Sequence, residues 1–169
     1  MSDVISYSFE DSISTESSYI DALAEDIVRT ASVIGILKSI GEGYDELVQL
    51  LKFLISELVM ELHTTSYVEG LAGELCEVIK TRLWDIEDEF KLYTLINNVV
   101  TLGLTVREGI NDPQLAREVF EEFADTFSLD LSKCAIMKKI LDSGDPALTL
   151  QAVLLGLVIS VGGLSNDGG

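Results

Sequence analysis

Apolar residues recur at steps of three and four along most of this chain, which is the period of a helix buried on one side. Between residues 19 and 40 they fall at Ile20, Leu23, Ile27, Ala31, Ile34 and Leu37, with Ile36 and Ile40 beside them. The spacing predicts one long helix, with Ser17 or Ser18 as its N-cap. The run "GEG" at residues 41–43 ends it, because glycine tolerates the left-handed backbone of a C-terminal cap. A second helix over residues 44–62 carries the stripe Leu47, Leu50, Leu51, Leu54, Leu58 and Leu62, widened by Phe53, Ile55 and Val59. So much apolar circumference places it at the centre or at an interface.

"HTTS" at residues 63–66 breaks the pattern, and Ser66 with Glu69 fits a capping box opening a third helix over residues 67–84. A fourth helix, residues 87–107, carries Phe90, Leu95, Val99, Leu102 and Val106 but is polar at Asn97 and Asn98. The chain's two prolines mark the next boundaries. Each follows an aspartate, in "NDPQL" and "GDPAL". Proline has no N–H to lose at the first helical position and disfavours helix in the residue before it. Asp112 and Asp145 therefore read as N-caps, and Pro113 and Pro146 as first helical residues. They open a fifth helix over residues 113–127, with Leu115, Val119, Phe120, Phe123 and Phe127 inward, and a seventh over residues 146–161. A short sixth helix fills residues 131–141.

These elements predict an all-α fold: a single compact bundle of six or seven helices over residues 18–164. A mobile acidic tail, residues 1–17, precedes it and a flexible end, residues 165–169, follows. The seventh helix has no charge from Ala147 to Leu164. Its length is at the lower edge for crossing a bilayer, and Gly156 and Ser160 have the small-xxx-small spacing of packed membrane helices. Yet its flanks, Asp145 and Asp167, are acidic, with no Lys or Arg to meet lipid head groups. A buried central helix is the expectation; a partner interface and a membrane-associated tail over residues 147–164 are the alternatives.

Charge narrows the partners. Against 29 Asp and Glu stand 11 Lys and Arg, a formal net charge of -18. Such a surface repels nucleic acid and anionic membranes and favours basic or apolar protein surfaces. It opposes self-association except through an apolar contact, so a homo-oligomer stays among the expectations. The first Lys or Arg is Arg29, which is unlike a secretory signal, and the expected compartment is the cytoplasm.

Catalytic signatures are absent. One histidine, His63, and two cysteines, Cys76 and Cys134, offer no Cys-x-x-Cys pair and no Glu-x-x-His, the motif of di-metal helical bundles. Glu118, Glu121, Glu122 and Asp125 fall mostly opposite the phenylalanines of the fifth helix and read as a solvated face. No catalytic, metal-binding or cofactor-binding residue is assigned, no cofactor is expected, and the chain reads as a non-enzyme. The candidate interface residues are Phe53 and Ile55, which diverge from the main stripe of the second helix, and Trp84 and Phe90. The last two, with Tyr93, flank the acidic run "DIEDE" at residues 85–89.

The stretches "INNVVTLGLTVREGINDPQLAREVFEEF" and "IMKKILDSGDPALTLQAVLLGLVISVGGL" pair an apolar helix with an Asp-Pro-x-Leu start and finish rich in Leu and Gly. In this the C-terminal half resembles a family of small helical proteins, domain of unknown function 1641. Its members are encoded beside heterodisulfide-reductase-like and formate-dehydrogenase subunits. The resemblance implies an accessory role near a redox complex and no catalytic residue. The expectation is thus a non-enzymatic acidic protein–protein interaction or accessory protein that binds or assembles a larger complex. The alternatives are a self-assembling structural protein, such as a viral or shell component, and a DNA-mimicking inhibitor with carboxylates in place of phosphates.

Overall fold

A computed structural model describes the backbone of residues 2–62, 67–79 and 89–162, and the side chains of 18–62, 67–79 and 90–162. Among these residues the fold is all-α: α1 (Ser2–Ser39), α2 (Asp45–Glu61), α3 (Leu71–Val78), α4 (Glu89–Arg107), α5 (Pro113–Thr126), α6 (Ala135–Ser143) and α7 (Pro146–Ser160). A single 3-10 turn, Leu131–Lys133, precedes α6. No strand occurs among the described residues.

The Asp-Pro pairs do local work at two helix starts. The Asp112 carboxylate accepts the Leu115 N–H at 3.0 Å, and that of Asp145 accepts the N–H groups of Ala147 at 2.9 Å and Leu148 at 3.4 Å. Pro113 and Pro146 are the first residues of α5 and α7. Upstream of each stands a glycine in the left-handed region, Gly109 at φ 77° and Gly144 at φ 65°. Left-handed glycine, capping aspartate and proline together stop one helix and start the next.

α7 is the centre of the bundle. It touches α2, α3, α4, α5 and α6. Leu150, Ala152, Val153, Leu154, Gly156, Leu157 and Ile159 are buried on successive sides of its axis. Its approach to α5 is so close that a Cβ on Gly156 would overlap the Phe123 ring. Phe123 in turn packs edge-on against Phe120 and Phe127. With 15 residues, α7 is about 22 Å long, short of the roughly 30 Å of a bilayer core. No described helix is long and apolar enough to cross a membrane.

Several boundaries differ from the sequence reading. α1 is helical from Ser2, so Ser17 and Ser18 lie inside it and not at its start. No Gly or Pro precedes Gly35, so nothing local stops the helix from extending through residues 2–17. The N-cap of α3 is Gly70 at φ 83°, and the helix starts at Leu71 rather than near Tyr67. Ser66 lies outside the described residues, as do His63, Trp84, the acidic run up to Asp88, and residues 165–169. The sixth helix is split: Asp130 caps the 3-10 turn, and Cys134, at φ -122° and ψ 79°, interrupts the helical path before Ala135. Glu74 of α3 then caps α6 from outside, accepting the Ile136 N–H at 3.0 Å and the Met137 N–H at 2.9 Å. Two orphan donors of a helix start meet a carboxylate there, on the side that the macrodipole favours.

Candidate functional site

α2 is apolar around much of its circumference, and its neighbours decide which strip goes inward. Leu51, Leu54, Ile55, Leu58 and Leu62 are buried. Ile55 sits four residues after Leu51 and three before Leu58, so it belongs to the core strip. At 2% exposure it is not an interface residue, which corrects its pairing with Phe53. Leu50, placed inward by the sequence reading, points out instead, and Leu47 is half-buried. The outward strip is Leu50, Phe53, Glu57 and Met60, at steps of three and four. Phe53 is 59% and Met60 71% exposed.

α1 carries a matching strip. Its inward side is Ile20, Leu23, Ala24, Ile27, Ala31 and Ile34. Tyr19, Val33, Ile36 and Ile40 are exposed. Val33 follows Tyr19 by two heptads, so the two share a side of the helix. The Tyr19 hydroxyl donates to Glu57 Oε2 at 3.2 Å. That bond joins a residue in the N-terminal half of α1 to the last turns of α2, so the two helices run antiparallel. It also sets the exposed strip of one beside the exposed strip of the other. Tyr19, Val33, Ile36, Ile40, Leu50, Phe53 and Met60 are thus the exposed apolar residues of the first hairpin, on two strips that meet at Tyr19 and Glu57.

Carboxylates interrupt both strips. Asp26 and Glu46 are exposed on them, and Glu57 and Glu61 are half-buried along them. Arg29, four residues before Val33 on the same side of α1, makes an ion pair with Glu25 one helical turn away. The electrostatic effect is visible at Tyr19. Its phenol is pushed above the ordinary value, first by loss of solvent, then by the bond to Glu57 and the negative charges of Glu57 and Glu61.

The other described candidate, Phe90, is on a different helix. Phe90, 78% exposed, stands in the first turn of α4 with Tyr93 exposed one turn later. About 20 Å of helix separates Phe90 from Gly103, where α4 meets Leu62 at the end of α2. Trp84 lies outside the described residues. Asn98 donates to Glu122 at 2.5 Å between α4 and α5, so Glu122 leaves the solvated row of Glu118, Glu121 and Asp125. The Asn97–Asn98 interruption of the α4 stripe was the sequence signal for that bond. Cys134 is fully buried, and its thiol is pushed upward by burial and then by the charges of Glu74 and Asp130. No group of three or more His, Cys, Asp or Glu placed to hold a metal ion occurs among the described residues.

No protein-family model, curated protein or solved structure matches this chain.

Proposed function

We propose that this chain is a non-enzymatic docking protein, acting in the cytoplasm, that binds a protein partner through the outer face of α1 and α2 and so helps to assemble a larger complex. The observation that carries the reading is the apolar strip itself. Phe53, Met60, Leu50, Ile36 and Ile40 crowd one side of a hairpin whose other side already feeds the core. Contiguous apolar surface of this kind marks a site of association on soluble proteins. The accessory role implied by the family resemblance is one form of the same reading.

Self-assembly through this face is the second reading, favoured by the same apolar strip and opposed by a charge of -18 on every copy. A DNA mimic needs carboxylates in two rows. The acids here are spread over most helices, and no observation favours it.

Replacing Leu50, Phe53 and Met60 together by Ser tests the proposal. These side chains already face outward, so the variant should keep its helical circular dichroism. Native extract passed over immobilised wild type should yield a stoichiometric partner that the variant fails to retain. Equal retention by both proteins would remove the face from consideration.

A further inference from the structure

We infer that the partner element received by this face is a basic amphipathic helix; the inference rests on the docking reading above and adds the chemistry of the occupant. Two observations carry it: the geometry of the strips and the sign of the charges among them.

The geometry selects a helix. α1 and α2 are antiparallel neighbours, and their exposed strips flank the seam between them. Leu50, Phe53 and Met60 lie on one bank; Tyr19, Val33, Ile36 and Ile40 lie on the other. Two helices with adjoining apolar strips make two sides of a three-helix seam. A third helix laid along the seam offers apolar side chains at i, i+3, i+4 and i+7, in step with both banks. A single extended strand alternates its side chains every second residue and sends half of them away from the seam. The α2 strip from Leu50 to Met60 covers about 15 Å, and α1 continues the surface past it, so a helix of about five turns fits.

The charges among the strips select the sign. Asp26, Glu46, Glu57 and Glu61 stand on this side of the hairpin with one cation, Arg29, which pairs with Glu25. Lys and Arg flanking the apolar stripe of an incoming helix would meet these carboxylates, steering the encounter and fixing the register. A second copy of this chain would instead set the same four carboxylates against themselves. An anionic lipid surface or a nucleic acid brings charge of the same sign.

The test uses the full-length protein and three labelled synthetic helices of about five turns. One has Leu at i, i+3, i+4 and i+7 with Lys elsewhere; the second has Glu in place of Lys; the third has the composition of the first in scrambled order. Binding is read by fluorescence anisotropy at low and high salt. The Lys helix should bind and weaken at least about tenfold at high salt. The Glu and scrambled helices should not bind. The Leu50, Phe53 and Met60 triple Ser variant should weaken the Lys helix at least about tenfold, the scale of lost central contacts. Asp26→Asn with Glu46→Gln should flatten the salt dependence. Phe53→Ser alone repeats the comparison should the triple variant lose helicity.

Equal binding of the ordered and scrambled Lys helices would overturn the inference, since charge alone then accounts for it. So would Lys-helix binding unchanged by the triple variant. If no helix binds while wild type still captures a partner that the variant loses, docking stands and the basic helix falls. If both proteins retain the same partners, the docking reading itself falls. Sedimentation showing a wild-type dimer that the triple variant lacks would make a second copy the occupant and overturn the inference.

Discussion

Gly156→Ala places a methyl group where α7 passes α5 most closely, and it tests the central position of α7. The new Cβ would stand 2.5 Å from Phe123 Cε1 and closer still to Cζ, and 3.1 Å from Ile79 Cδ1, while real Cβ atoms stay beyond 3.0 Å. The ring has little room to yield. Its edge contacts hold it between Phe120, centroids 6.3 Å apart, and Phe127, 5.2 Å apart. Overpacking of a core costs about 1–3 kcal/mol, and a ring boxed in this way argues for the top of that range. Ala is the better helix former by about 1 kcal/mol, which offsets part of it. The expected net loss is about 2 kcal/mol, read as a lower urea midpoint at unchanged slope. Gly73→Ala is the control. Gly73 is also inside a helix, but nothing lies within 4 Å of its new Cβ. That variant should gain about 0.5–1 kcal/mol. Adding Phe123→Leu should remove most of the Gly156→Ala penalty, as an interaction energy of at least about 1 kcal/mol in a double-mutant cycle. If Gly156→Ala stabilises the protein as Gly73→Ala does, α7 does not pass under Phe123 and the bundle is arranged otherwise.

Helix caps and the buried thiol set the further outcomes. Asp145→Ala removes the acceptor for Ala147 and Leu148 N–H and should cost about 1 kcal/mol in chemical denaturation, with Asp145→Ser retaining most of that stability. Glu74→Ala leaves the first donors of α6 without their carboxylate and should cost about 2 kcal/mol, the range of charge-assisted hydrogen bonds; a loss below about 0.5 kcal/mol would mean that water replaces it. Cys134, fully buried with its thiol raised, should react with a disulfide reagent at least about tenfold more slowly than half-buried Cys76, and Cys76→Ser should leave only the slow phase. For the pH dependence, the folded thiol holds its proton above the ordinary value. Its contribution is therefore whole below about pH 8.5 and falls as pH rises past it, because the unfolded chain ionises first.

Features fixed by neighbours in sequence were legible before the structure was known. A proline after an aspartate acts within four residues, so the starts of α5 and α7 followed from local chemistry. The α5 stripe of Val119, Phe120 and Phe123 was equally readable, because its opposite side is charged and only one strip is apolar. α2 was not readable in that way. With Leu50, Leu51, Phe53, Leu54 and Ile55 in succession, several strips compete for the core, and periodicity alone does not rank them. Contact with α1 and α7 settles the choice, which sent Ile55 inward and Leu50 outward. The cap of α6 was beyond reach for a related reason. Glu74 lies 62 residues from Ile136, and no local pattern announces a carboxylate supplied by another helix. The start of α3 was misplaced because Gly70, in the left-handed region, turns the chain after the capping-box signature has passed.

Net charge and the apolar face explain each other. A surface holding Phe53 and Met60 in the open would draw copies together if the chain were neutral. At -18, approach of two copies is resisted at long range, and the four carboxylates among the strips resist it again at contact. The same charges attract a basic surface. Salt therefore acts with opposite sign on the two readings. Screening weakens a basic helix held at the face, and it lets copies approach, so self-association through the face strengthens. In the proposed docking role, acidity would keep the face vacant among copies of this chain and direct it toward a partner of the other sign.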